Sequence, residues 1–168
     1  MVVHHQSQRS AIEGWFADHH DPDTVVYVPV PDYVSLTDWA EDAYVSLIDA
    51  ADGSPYLVEP WQFPRAGDAL VAEYAQEYAG VRASQAPLIF QGGNCLIGDE
   101  FWLLGKDYFA DSLELLAGRR PPVTVPDGTA AAAFARELFS DYIDSDRKLL
   151  LVGTRKPIPV RELVDLGP

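Results

Sequence analysis

The hydrophobic pattern of this chain alternates between short apolar runs and longer stretches with helical spacing. Short runs rich in β-branched and aromatic residues predict strands. These runs are residues 24–30, 42–48, 56–59, 88–90, 94–97, 101–104 and 147–152. Apolar positions that recur every three or four residues predict helices. These stretches are residues 10–19, 67–78, 107–116 and 129–139. Asp52-Gly53 predicts a hairpin-type turn, Gly80 a helix cap, and Pro121-Pro122 a break in the chain.

The predicted order of elements defines the fold class. After a polar tail (residues 1–9) and a short first helix, the chain reads strand, strand, strand, helix, strand, strand, strand, helix, helix, strand. A plain Rossmann sheet would place a helix after every strand, so this order excludes it. We therefore expect a mixed α/β (α+β) fold, with residues 1–23 as tail and short helix and residues 24–168 as one domain.

Composition adds a prediction about partners. The 168 residues are 48% hydrophobic and 23% charged, as in globular proteins, and the formal net charge is −14. Because an acidic surface repels phosphate, we expect neither nucleic acid nor an anionic membrane as a partner. The same charge attracts small cations, although it also serves solubility alone.

The single cysteine and the N-terminus bear on localisation. Cys95 is the only cysteine, so an intramolecular disulfide is excluded. No apolar run approaches the ~18 residues that a membrane span requires. The N-terminus lacks the apolar core of a signal peptide. These features predict a cytoplasmic protein.

Two polar segments lie at the ends of predicted strands. The strand at residues 88–90 runs into Gln91-Gly92-Gly93-Asn94, where adjacent glycines permit unusual backbone dihedrals and close approach of a ligand. Asp38-Trp39-Ala40-Glu41-Asp42 precedes the strand at residues 42–48. Each segment also has a plain structural interpretation, namely a sharp turn for the glycines and a solvated strand end for Asp42.

Both segments resemble motifs of the guanidino-group-modifying enzymes, the pentein superfamily, which includes agmatine, arginine and peptidylarginine deiminases and the amidinotransferases. Gln91-Gly92-Gly93-Asn94 resembles their Glu-Gly-Gly-Asn/Asp motif, and Trp39 to Asp42 resembles their Trp-x-x-Asp segment. With the two motifs in this order, the resemblance extends over residues 24–155. The resemblance implies the N-terminal portion of a pentein-type α/β propeller built from ββαβ units.

The resemblance also implies a ligand and a set of residues that bind it. A carboxylate accepts two parallel N–H bonds from a planar guanidinium, the role implied for Asp42, or for Glu41 if the register is shifted by one. The remaining implied substrate-binding residues are Trp39, Gln91, Gly92, Gly93 and Asn94. Gln91 departs from the usual Glu, and a neutral amide cannot neutralise a second cationic group. Trp61, Tyr44 and Tyr56 could wall a cation pocket or belong to the core.

The catalytic machinery of the family has no counterpart in this sequence. Its nucleophile is a late Cys and its general acid/base a late His, whereas this chain has no His after His20. Cys95 is expected to be a buried apolar residue rather than a nucleophile. We expect no metal site at His19 and His20, no cofactor, and no deimination by the isolated chain. Residues 155–168 resemble the approach to a missing, truncated segment.

Three functional readings remain open from the sequence. The first is a guanidino-binding domain that needs a homodimer or a complementing C-terminal polypeptide, because an incomplete propeller leaves strand edges uncovered. The second is a non-catalytic binding or structural module with the same fold. The third is a small hydrolase of another fold that uses Asp42 and Cys95.

Overall fold

The computed structural model describes residues 1–118, 124 and 128–153. The predicted break at Pro121-Pro122 and the segment 155–168 lie outside these residues. The chain divides into two compact units, Met1–Gln85 (unit 1) and the part from Ala86 onward (unit 2), and each is described by itself. Whether residues 24–168 form one domain stays a prediction. No helix in the described part of the chain is long and apolar enough to cross a bilayer.

Unit 1 begins with a strand where the sequence predicted a polar tail. Strand β1 (Val2–His5) pairs in parallel with β2 (Tyr27–Val30), and helix α1 (Arg9–His19) lies between them in sequence. The prediction of a tail was wrong because the pairing with β2, and not a long apolar run, makes these residues a strand. The helix predicted at residues 10–19 is confirmed.

A three-stranded sheet forms the rest of unit 1. Strand β3 (Val45–Ile48) and strand β4 (Pro55–Glu59) form an antiparallel hairpin, helix α2 (Val71–Ala79) follows, and strand β5 (Arg82–Gln85) returns parallel to β4. The hairpin and the helix were predicted. Strand β5 was not, because Arg-Ala-Ser-Gln has no apolar run and its conformation depends on pairing with β4.

Two glycines of unit 1 adopt a left-handed backbone that favours glycine. Gly53 has φ 72° in the hairpin turn, and Gly80 has φ 65° at the C-cap of α2. Both positions were predicted from sequence as a turn and a cap. They fix the two reversals that bring β3, β4 and β5 into one sheet.

Unit 2 contains a second three-stranded sheet. Strands β6 (Leu96–Ile97) and β7 (Phe101–Gly105) are antiparallel, and two helices follow, α3 (Lys106–Ala117) and α4 (Gly128–Tyr142). Strand β8 (Lys148–Val152) then pairs in parallel with β7. Both three-stranded sheets are therefore built in the order strand, strand, helical segment, strand.

Residues 88–90 are not the strand that was predicted. Leu88 and Phe90 are buried, but the segment is irregular. Ser112 of α3 replaces a strand partner: its Oγ accepts a hydrogen bond from the Ile89 N–H at 2.8 Å, and its hydroxyl has two carbonyl acceptors within reach, Tyr108 at 2.8 Å and Ile89 at 3.2 Å. The apolar run thus reflects burial, and a side chain satisfies the backbone that a neighbouring strand would otherwise pair.

Candidate functional site

Asp42 lies in a short helical turn rather than in a strand. The 3₁₀ turn Ala40–Ala43 precedes β3, which starts at Val45, so the strand predicted from residue 42 begins three residues later. Within the turn, the Asp42 N–H donates to the Trp39 carbonyl at 3.0 Å. The Trp39 N–H in turn donates to Thr37 Oγ1 at 3.1 Å. These local bonds fix the position of the Asp42 backbone just before the start of β3.

The Asp42 carboxylate is paired with a guanidinium that belongs to the chain itself. Arg65 Nη2 donates to Asp42 Oδ2 at 2.8 Å and to the Trp39 carbonyl at 2.7 Å. Its Nε donates to Asp68 Oδ2 at 2.6 Å. The guanidinium carbon also lies 4.7 Å from the centre of the Phe63 ring, within the range of a cation–π contact.

Asp68 anchors this group from the interior. Its side chain is fully buried and accepts the Thr37 N–H at 2.8 Å and the Thr37 hydroxyl at 2.7 Å. Burial alone would raise the pKa of Asp68, but the hydrogen bonds from Thr37 and Arg65 outweigh it and lower that pKa below its usual value. Asp68 therefore stays ionised and holds Arg65 in place.

We call Thr37, Trp39, Asp42, Arg65 and Asp68 the Arg65 cluster. Hydrogen bonds to Asp68 and Asp42 raise the pKa of Arg65. Sequence reasoning found Trp39 and Asp42 but missed the other three. The available signal was the opposite charges of Arg65 and Asp68 at i and i+3. The cluster shows that this part of unit 1 can hold a planar cation between carboxylates and a carbonyl.

The other predicted residues of this segment differ in what the structure says of them. Trp39 is 65% exposed and contributes its backbone groups to the cluster. Glu41 lies in the same 3₁₀ turn, but its side chain is not among those described. Tyr44 packs against the core formed by Leu57, Ala72 and Ala75, as its alternative interpretation predicted.

Glu59, at the end of β4, is a titratable residue that the sequence did not single out. Burial, with a contribution from the nearby charge of Glu73, raises the pKa of Glu59 to about 7. Val45, the first residue of β3, pairs with Val58, the residue before Glu59. Because Asp42 lies three residues before Val45, Glu59 and Asp42 lie at the same end of the hairpin. No sequence pattern distinguishes Glu59 from any glutamate at a strand end.

The Gln-Gly-Gly-Asn segment of unit 2 forms a hydrogen-bonded turn. Gly92–Asn94 is a 3₁₀ turn. Neither Gly92 nor Gly93 has a positive φ, so the turn does not need the unusual backbone dihedrals that the two glycines would permit. Asn94 Nδ2 donates to Gln91 Oε1 at 3.1 Å and to the Tyr108 hydroxyl at 2.9 Å. Gln91 and Asn94 are thus brought together and tied to α3.

Cys95 faces the interior of unit 2. It lines an apolar cavity of about 20 Å³ with Trp102, Phe109, Phe139 and other core residues. Burial raises the pKa of the Cys95 thiol to about 12, and the thiol lies 3.3 Å from the Gln91 carbonyl. A thiol that stays protonated is a poor nucleophile. These findings support the expected role of Cys95 in the core and weigh against the hypothesis of a hydrolase that uses Cys95.

Trp39 and Asp42 belong to unit 1 and Gln91 to Asn94 to unit 2, so a common pocket for them stays a prediction.

His19 stacks on Trp15 at 4.5 Å between ring centres. In the described part of the chain, no three His, Cys, Asp or Glu side chains gather as a metal would require.

Comparison with known proteins identifies the fold. No protein-family model matches the sequence, and no curated protein matches it significantly. Among solved structures, a candidate agmatine deiminase from a structural genomics programme matches with a TM-score of 0.52 and 18% identity, over 89% of this chain and 40% of that one. The agmatine deiminase of Enterococcus faecalis matches with a TM-score of 0.51 and 21% identity, over 90% of this chain and 40% of that one.

These matches confirm the pentein-like fold inferred from the two motifs. They also show that the chain spans less than half the length of the agmatine deiminases it resembles. At these identities the similarity concerns the fold and not the activity. The chain has the fold of the agmatine deiminases, which are pentein enzymes, over a length equal to 40% of theirs.

Proposed function

We propose that the chain is a guanidino-binding domain that corresponds to the N-terminal portion of a pentein enzyme. The observation that carries this proposal is the fold shared with two agmatine deiminases over about nine-tenths of this chain. Those proteins act on agmatine, a guanidine, by their names. The proposed ligand is accordingly a small guanidino-type cation bound at Asp42, with Trp39, Glu41, Gln91, Gly92, Gly93 and Asn94 as further contacts.

The Arg65 cluster supports a small cation, such as a guanidinium, as the ligand. A carboxylate, a backbone carbonyl and an aromatic ring already surround one guanidinium in unit 1. Charge-assisted hydrogen bonds of this kind favour planar cations with several N–H donors. The net charge of −14 adds a long-range attraction for any cation.

We propose further that this chain by itself binds without hydrolysing. Deimination requires a thiolate that attacks the guanidino carbon and an acid/base group that moves protons. The four histidines of this sequence lie at positions 4, 5, 19 and 20, and the thiol of its only cysteine has a pKa of about 12. The proposed domain therefore supplies carboxylates, while another polypeptide supplies the nucleophile and the base.

Exposed apolar side chains support an association with a second polypeptide or a second copy. In the sheet of unit 2, both outer strands carry them: Leu96 is 64% and Ile97 48% exposed on β6, and Leu150 is 42% and Val152 44% exposed on β8. Apolar groups on outer strands are typical contact points between chains. In the proposed propeller of ββαβ units, these strands would pack against neighbouring units.

A second candidate function is a non-catalytic structural module. The pairing of Asp42 with Arg65 favours it, because a carboxylate already engaged in a structural ion pair need not bind a ligand. Both proposals keep a cytoplasmic location, which rests on the single cysteine and the lack of a long apolar run, and the expectation of no nucleic-acid or membrane partner, which rests on the acidic composition.

Thermal stability measured with and without agmatine or arginine tests the first proposal against the second. A ligand that binds only the folded state raises the melting temperature as its concentration exceeds its dissociation constant. We expect agmatine to stabilise the protein and the variant Asp42→Asn to lose this effect. Asp49→Asn, which removes another arginine-paired carboxylate of unit 1, is the matched control and should keep it.

Two further assays complete the test. Incubation with agmatine should yield no ureido product from this chain alone, and product formation would show that catalysis survives. Size-exclusion chromatography with light scattering should show a mass above the 18.5 kDa of one chain. A well-folded monomer at all concentrations would count against the proposed association.

A further inference from the structure

The Arg65 cluster leaves Asp42 with one oxygen engaged and one open. Arg65 takes Asp42 Oδ2, and among the described residues no group donates to Oδ1. The Asp42 side chain is 14% exposed, so solvent or a ligand can still reach it. A guanidinium that arrived from outside would therefore meet a carboxylate already half occupied.

Arg65 is held too firmly for such a ligand to displace it. Its Nε–H is bonded to Asp68, whose side chain is fully buried, and its Nη2 is bonded to both Asp42 and the Trp39 carbonyl. Removal of Arg65 would leave Asp68 as a buried charge with hydrogen bonds, within the described part of the chain, from Thr37 alone. Removal of one partner from a buried ion pair is strongly destabilising, because the other charge stays in a medium that solvates it poorly.

We infer that Arg65 is a positioning residue that leaves a ligand one free oxygen of Asp42, Oδ1, as its acceptor. This inference rests on the proposed function, since it concerns the ligand of Asp42. Bidentate bonding distinguishes a guanidinium from a simple ammonium, and it needs both oxygens of the carboxylate. The site accordingly discriminates weakly between guanidines and primary amines of similar length and binds either as a monocation.

The test compares two probes of equal charge and similar length, butylguanidine and pentylamine, by isothermal titration. In the wild-type protein we expect dissociation constants within about threefold of each other, because each cation makes one bond to Oδ1. In the double variant Arg65→Met with Asp68→Asn, both oxygens of Asp42 are free and no charge is buried unpaired. There, butylguanidine should bind about tenfold or more tightly than pentylamine, because it gains one charge-assisted bond.

The matched control is Arg82→Met, which removes an arginine paired with Asp49 in the hairpin turn. It should leave the ratio of the two dissociation constants unchanged. A structural role of Arg65 alone would weaken both probes equally and would not move this ratio. A wild-type preference for butylguanidine above about tenfold, or an unchanged ratio in the double variant, would overturn the inference.

A nuclear magnetic resonance experiment separates failure of the inference from failure of the proposed function. The Arg65 Nε–H signal is identified by its absence in Arg65→Lys. Without ligand, Asp42→Asn should shift the Arg65 side-chain signals, and unshifted signals would overturn the inference that Arg65 holds Asp42. With saturating butylguanidine, a persistent Nε–H signal supports it and a lost signal shows displacement of Arg65. If neither probe binds any variant, the proposed function fails, and the ligand-free spectra alone decide whether Arg65 holds Asp42.

Discussion

The two three-stranded sheets have the same order and the same strand directions but opposite chemistry. In unit 1, the sheet β3–β4–β5 is accompanied by the Arg65 cluster, in which a buried carboxylate holds a guanidinium. In unit 2, the sheet β6–β7–β8 is accompanied by an apolar cavity beside Trp102 and Phe139, whose rings meet edge to face at 5.1 Å. One topology thus supports a polar cluster in one case and an aromatic core in the other.

An ion pair present in both units makes the comparison sharper. Arg65 and Asp68 are paired at i and i+3, and so are Asp144 and Arg147. In unit 2, Asp144 also accepts the Trp102 indole N–H at 2.9 Å, and Arg147 Nε donates to the Gly98 carbonyl at 2.9 Å. The unit 2 pair supports the core and a turn, whereas the unit 1 pair reaches a second carboxylate, Asp42.

The difference indicates where function should be sought. A shared fold positions strand ends, and the side chains placed there decide what can bind. Among the described residues, the unit 1 pair hydrogen-bonds to a further, partly exposed carboxylate and the unit 2 pair does not, so the carboxylate contact of the proposed cation is to be tested in unit 1.

The largest effect should come from Trp102 in unit 2. Trp102 is 1% exposed, so Trp102→Ala should lower the free energy of unfolding by about 4 kcal/mol through the cavity and the lost contacts. Urea denaturation followed by circular dichroism measures it. Glu137→Ala, at an exposed position of α4, is the control and should change stability by no more than about 0.5 kcal/mol. A similar loss in both variants would show that Trp102 is not central to this core.

Asp68 should have the next largest effect. Asp68→Ala removes the acceptor of three hydrogen bonds from Thr37 and Arg65 in a buried position, and we expect a loss of about 3 kcal/mol. The same denaturation experiment applies. Asp49→Ala breaks a solvent-exposed pair with Arg82 and should cost much less. Equal losses would mean that burial of Asp68 adds nothing to the strength of the cluster.

Glu59 should make the stability of unit 1 depend on pH with the opposite sign to that of an ion-paired carboxylate such as Asp68. Its pKa is raised from 4.5 to about 7 in the folded protein, so the folded state binds the proton more tightly than the unfolded state. The contribution of Glu59 to the free energy of unfolding is fully present below pH 4.5 and is lost as the pH rises toward and through 7. Glu59→Gln should therefore be more stable than wild type at pH 8 and similar at pH 4.

Denaturation of both proteins across this pH range measures the difference. Glu73→Gln provides a second variant, because removal of its charge should lower the pKa of Glu59 and reduce the loss. A constant difference between wild type and Glu59→Gln at every pH would contradict the assignment.

The smallest effect is expected at Cys95. A thiol with a pKa of about 12 should react with iodoacetamide far more slowly than free cysteine at pH 8, and denaturation should restore the rate. Mass spectrometry follows the modification. Rapid labelling of the folded protein would restore Cys95 as a candidate nucleophile.

Much of this fold could be predicted, and the errors have a common cause. The hairpin β3–β4 and the helices carry strong local signals in apolar spacing and in Gly53 and Gly80. Strands β1 and β5 lack apolar runs and exist because of their partners. Residues 88–90 are apolar because they are buried, although Ser112 and not a strand satisfies the Ile89 backbone.

The candidate site was predictable only in part for a related reason. Trp39 and Asp42 stand in a recognisable local motif. Arg65 reaches them from more than twenty residues away, and Asp68 holds Arg65, through contacts that depend on the tertiary fold. A local pattern therefore identified the carboxylate but could not show that a guanidinium of the same chain is already bound to it.

The most direct test of a guanidinium ligand at Asp42 is isothermal titration of agmatine at low ionic strength. We predict saturable binding to the wild-type protein, unchanged binding to Asp49→Asn, and at least about a tenfold loss in Asp42→Asn because a charge-assisted hydrogen bond disappears. Equal affinities of agmatine for wild type and Asp42→Asn, with both proteins folded, would contradict the account.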